Sequence, residues 1–184
     1  MEAEWYQQGG WPLIGAIAVL LITNGFALWK IYLQAHAAFE SQLKIKKIEW
    51  ISQQLTEFYN PLFTLLHVNR DVFKAVGPQT FPDDPNRREA AGELWEATKN
   101  SVIIPNNKKI QGVLQDKSHL ISSDDGLSAY LPLINHISMY EIFQDIPTEI
   151  YARFQFPTGI LEHIEGRREQ LLRHFNDLKK DGTA

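Results

Sequence analysis

From Trp5 to Trp29 the chain carries no charged residue, and Trp11–Trp29 reads WPLIGAIAVLLITNGFALW. A helix needs about 20 apolar residues to cross the hydrocarbon core of a bilayer, so this run has the length and character of a membrane span. Aromatic residues flank it, with Trp5, Tyr6 and Trp11 before and Trp29 and Tyr32 after. Such rings favour the headgroup layer, which gives the segment two interfaces. The sequence thus predicts a leader over 1–10, a transmembrane helix over 11–33 and a juxtamembrane helix over 34–60.

Orientation follows from charge. Glu2 and Glu4 precede the span without any Lys or Arg, whereas Lys30, Lys44, Lys46 and Lys47 follow it. The positive-inside rule therefore places the C-terminal side in the cytoplasm and the leader outside an inner (plasma) membrane. Ala35-His36-Ala37 resembles the small-x-small pattern of a signal-peptidase site, and cleavage there would make a secreted protein. The acidic leader, the long apolar run and Lys30 before the site favour an uncleaved anchor.

Asn24 is the one strongly polar side chain within the span, beside Thr23 and Gly25. An amide in hydrocarbon seeks a partner and small residues let helices approach, so Asn24 and Gly25 are the candidate positions for self-association. Gly15 and Gly25 are not at GxxxG spacing. Lys44, Lys46 and Lys47 are candidates for contact with anionic lipid, at about 1 kcal/mol per residue near the surface. As a cluster of three they serve equally to set topology and solvate a helix.

No proline or glycine lies between Gly25 and Pro61, so one helix is expected to run from the span to residue 60. Its apolar stripe Phe39, Leu43, Ile48, Ile51, Leu55 and Phe58 becomes coiled-coil-like from Ile48. Later helices of the same chain are the expected cover. Pro61 suits the first position of a new helix that Gly77-Pro78 ends. After the loop GPQTFPDDP, Asn86 and Glu89 suggest a capping-box start to a helix reaching Val102. Pro105 is expected to divide that helix from the next, and Ser122–Gly126 to form a turn. Leu127–Phe143, apolar on two faces, reads as the central helix; the last runs from about Thr158 to Lys180, before a short tail over 181–184. No run alternates as a strand does. The fold class is all-α: one N-terminal transmembrane helix continuing into a cytoplasmic antiparallel bundle of five or six helices over 61–180.

With 184 residues there is room for one domain and an anchor, and 44% apolar with 22% charged residues suits a folded chain. A net charge of −4 argues against nucleic acid as a partner. The absence of cysteine removes disulfides, thiolate metal sites and thiol catalysis. None of His36, His67, His119, His136, His163 and His174 lies in an HExxH or ExxH unit, and GxGxxG, Walker and GxSxG patterns are missing. No cofactor or metal is expected.

The layout resembles that of small membrane-anchored partner or effector proteins, a likeness of architecture only. The leading expectation is a tethered interaction or effector module acting at the cytoplasmic membrane face through contacts with a protein partner or itself. The alternative is an enzyme or ligand-binding domain with a pocket between helices, lined by Tyr130, His136, Tyr140 and Arg153.

Overall fold

The structure, a computed structural model, describes residues 11–146 and 149–180. The expected leader, the tail over 181–184 and Pro147 lie outside them. The chain is all-helical, and no strand occurs among the described residues. It divides into two units, Met1–Lys47 and Ile48–Ala184.

The described residues of the first unit belong to helix α1, whose full extent is Trp11–Gln53. Those 43 residues make about 65 Å of helix at 1.5 Å per residue, roughly twice the ~30 Å of a hydrocarbon core. The apolar part is long enough to cross a membrane, and none of it is buried. Phe39 and Leu43 are also exposed, so the predicted stripe has no cover before Ile48.

The second unit holds the core. From Ile51 the stripe turns inward: Ile51, Leu55, Phe58, Tyr59, Leu62 and Leu66 are at most 5% exposed. They pack against Ile110 and Leu114, against Tyr130, Leu133 and Ile137, and against Ile160, Ile164 and Leu171. Each set repeats at three to four residues, the spacing that puts side chains on one helical face. The central element is therefore residues 51–66. Leu127–Phe143 does not hold that place, because Leu127, Leu131 and Ile142 point outward.

Prolines expected to end helices do not. A π-helical turn over Gln54–Tyr59 joins α1 to α2 (Asn60–Val76), and a second over Lys99–Ile103 joins α3 (Pro85–Thr98) to α4 (Ile104–Asp116). Each wide turn closes on the residue before a proline: Asn60 N–H donates to the Leu55 carbonyl and Ile104 N–H to the Lys99 carbonyl. A proline in an α-helix loses one bond and clashes with the carbonyl four residues back; a preceding turn with five-residue bonds shifts that register. Among the described residues six α-helical segments thus form four continuous rods, completed by α5 (Leu131–Asp145) and α6 (Ile160–Lys180).

Capping also differs from expectation at α3. Asp84, not Asn86, is the N-cap: its carboxylate accepts the Arg87 N–H at 2.9 Å, and Pro85 takes the first helical position. The preference of proline for that position moves the start two residues upstream. α5 starts at Leu131 because residues 127–129 form a 3-10 turn.

Cross-links fix the directions. Gln54 Nε2 donates to the Leu120 carbonyl at 2.9 Å, Lys117 pairs with Glu57 at 2.6 Å, and Asn69 bonds Asn107. Numbers fall along one rod as they rise along the other, so α2 and α4 are antiparallel. α5 instead follows α2, since Tyr130 meets Tyr59 at Asp125 while Tyr140 reaches the surroundings of Asn69 and Phe73. The antiparallel order therefore holds for α4 against its neighbours, and the segment after α5 carries the chain back.

Candidate functional site

Three places have the makings of function. The first is the apolar part of α1, where the large apolar side chains from Leu13 to Leu33 are about half exposed or more, on every side. Thr23 is satisfied within the helix, its Oγ1 donating to the Val19 carbonyl at 2.8 Å. Asn24 and Gly25 stand beside it on open surface; a Cβ at Gly25 would touch nothing within 4 Å. Lys46 and Lys47 are exposed and Lys44 is half-buried. About 30 Å of helix α1 separates Asn24 from Lys44.

The second place is a knot of polar side chains around Asp125. Its side chain is only 1% exposed, yet it sits in the loop between α4 and α5. Tyr59 and Tyr130 donate to Oδ2 at 3.1 and 2.6 Å, and the His163 Nε2–H donates to Oδ1 at 2.9 Å. Ser122 N–H in turn donates to the Tyr59 hydroxyl at 3.2 Å. Burial pushes the Tyr59 phenol up to about 12 and raises that of Tyr130 further, with the Asp125 carboxylate adding to the effect, so both stay protonated donors. Next door, Arg167 donates to the Asp124 carboxylate and backbone carbonyl, both at 2.6 Å. The first and last rods are thus tied to one short loop. Tyr130, fully buried in this knot, is spatially apart from the pocket residues with which it was grouped.

The third place is a cleft of about 310 Å³ where α2, α4 and α5 meet the segment before α6. His136 and Tyr140 line it, as do Phe73, Trp95, Ile103 and Phe156. Arg153 is exposed and is not part of the lining. The Phe73 and Trp95 rings meet edge to face, 5.7 Å between centroids. His136 Nδ1–H donates to the Phe154 carbonyl at 2.7 Å, which leaves Nε2 as the acceptor nitrogen. Burial lowers the His136 pKa, so the ring is neutral at pH 7.

Polar groups of the cleft come mainly from asparagines. Asn106 Nδ2 donates to Asn69 Oδ1 and Asn69 Nδ2 to Asn107 Oδ1, each at 2.9 Å. Asn107 is only 6% exposed and lines the cleft. Its Nδ2 has no acceptor among the described residues. Arg70 contributes the cation: Nε is taken by Asp71 at 2.9 Å, while Nη1 and Nη2 have no protein acceptor among the described residues. The π turn that ends at Ile103 shapes the floor, a location typical of such turns.

No known protein family, curated protein or solved structure matches this chain. Its chemistry must be read from these three places. Among the described residues no three His, Asp or Glu side chains are grouped to hold a metal.

Sequence reasoning missed Asp125, Asn69, Asn107 and Arg70. Asn106-Asn107 directly after Pro105 was the one visible sign, since two amides on a buried helical face require partners. Asp125 gave no sign, because its partners lie 66, 5 and 38 residues away.

Proposed function

We propose that the protein is a single-pass membrane protein whose helical domain stands on the cytoplasmic side and acts there by binding another protein. The exposure of α1 carries this reading. Leu20, Leu21, Ile22, Phe26 and Leu28 are each 60–70% exposed, around the whole helix, while Ile48–Lys180 has a core of its own. Each such side chain is worth about 1.5–3 kcal/mol when removed from water, a gain that only lipid or another helix supplies. Lys30, Lys44, Lys46 and Lys47 after the span and Glu2 and Glu4 before it support the inward placement of the domain.

A surface for the partner is supported by Ile142, Ile146 and Ile150, which are more than half exposed at the end of α5 and in the turn that follows. Ile142 is in the last turn of α5, and Ile146 caps that helix, its N–H donating to the Ile142 carbonyl at 3.1 Å. The ligand-binding alternative is supported separately by the cleft.

Because the chain lacks cysteine, single cysteines report topology cleanly. In intact cells an impermeant maleimide is expected to label Glu4→Cys, and to label Asp177→Cys only after permeabilisation; the reverse pattern overturns the orientation. Native mass spectrometry of the full chain from mild detergent should find a stoichiometric protein, foreign or a second copy. The pair Ile142→Asp and Ile146→Asp is expected to release it at unchanged helix content. A wild-type monomer removes the binding role.

A further inference from the structure

The two buried polar clusters differ in one respect that points to a ligand. Around Asp125 every donor meets an acceptor within the chain, but in the cleft the Asn107 Nδ2 and the outer nitrogens of Arg70 are donors left over. Asn107 is 6% exposed and lines the cleft, and its Nδ2 is not sealed from it, so a molecule entering the cleft can accept from that nitrogen.

We propose that this cleft binds a small organic monoanion with an aromatic body. The charge of the head group follows from the lining: Arg70 is its cation, no Asp or Glu lines it, and the leftover groups are donors. Asp71, which holds Arg70 Nε, lies outside the lining. The apolar body follows from Phe73, Trp95, Tyr140 and Phe156, whose ring faces and edges suit a flat molecule. About 310 Å³ is at the small end of the roughly 300–1,000 Å³ range of ligand sites, which fits one substituted ring and a head group. A carboxylate there accepts from Arg70 and Asn107 together, and charge-assisted bonds of this kind are the stronger class. The inference does not depend on a protein partner.

The test uses the full chain in nanodiscs with 4-(trifluoromethyl)benzoate as probe and its uncharged carboxamide as control, both followed by fluorine NMR. Empty nanodiscs give the partition into lipid. Saturable binding of the benzoate is expected, at least about tenfold tighter than the carboxamide, as one charge-assisted bond implies. Arg70→Gln, at a partly exposed position, is expected to keep the fold and erase that preference. Asn107→Asp, which can still accept from Asn69, should abolish benzoate binding by setting an anion in the cleft. Equal binding of the two probes, no saturable binding of either, or a preference that survives Arg70→Gln overturns the proposal.

Discussion

The Asp125 knot and the asparagine cleft are both polar regions sunk among apolar helices, yet they are built on opposite terms. The knot is charged and closed. One carboxylate at 1% exposure takes bonds from three side chains on three different segments, and the loop that carries it is further held by Arg167. The cleft is lined by rings, neutral polar side chains and one arginine, and it is open. Its amides run in a chain from Asn106 through Asn69 to Asn107 and end on a donor with no acceptor among the described residues. A polar group that is saturated serves the fold, because any partner removed leaves another stranded. A polar group that ends a chain inside a cavity is available to something else.

Mutation separates the two regions most sharply at the carboxylate. Asp125→Ala strands two tyrosine hydroxyls and a histidine at once, so it is expected to cost about 3 kcal/mol of stability, the scale of a broken buried network. Chemical denaturation followed by circular dichroism measures this. A loss below about 1 kcal/mol would place the knot among surface ion pairs and erase the contrast. Asn107→Leu leaves only the Asn69 amide unpaired and fills part of the cleft, so its cost is expected near 1 kcal/mol. If it were to equal that of Asp125→Ala, the asparagine chain would be a structural network of the same kind.

How much of this was written in the sequence differs between local and long-range features. Helical stripes such as Ile51, Leu55, Phe58 and Leu62 are visible because periodicity is local, and Gly77-Pro78 ends a helix where it should. Pro61 and Pro105 misled because a proline announces a lost bond without saying whether the chain stops or widens into a π turn. The apolar run of α1 is legible as composition, because its length and hydropathy, enough to cross a membrane, can be read directly from the residues. His136 and Tyr140 do share a cleft, but Tyr130 belongs to the knot and Arg153 to the surface. The reason is helical geometry: 130 and 140 are three turns apart on a rod whose two ends face different neighbours. Asp125 itself looked like one more acid in a Ser-Ser-Asp-Asp-Gly turn, and only folding brings Tyr59 and His163 to it.

The smallest expected effect is on pH dependence, and it assigns His136 to the open region. Its pKa is lowered by burial, and the bond to the Phe154 carbonyl only partly offsets this. A histidine that is harder to protonate folded than unfolded takes up protons preferentially in the unfolded chain as pH falls below about 6.5. Its contribution to stability is then complete above that pH and declines as the unfolded chain becomes charged, until the folded pKa is also passed. Glu57 and Asp124 act in the same direction but in the lower, carboxylate range, held down by Lys117 and by Ser122 with Arg167 respectively. The two windows are therefore separable. Melting temperature measured between pH 7.5 and 5.5 (on the order of one unit either side of the ordinary histidine value) should fall less in His136→Gln than in the wild type. Equal slopes would mean that the His136 ring is as well hydrated in the folded chain as in the unfolded one.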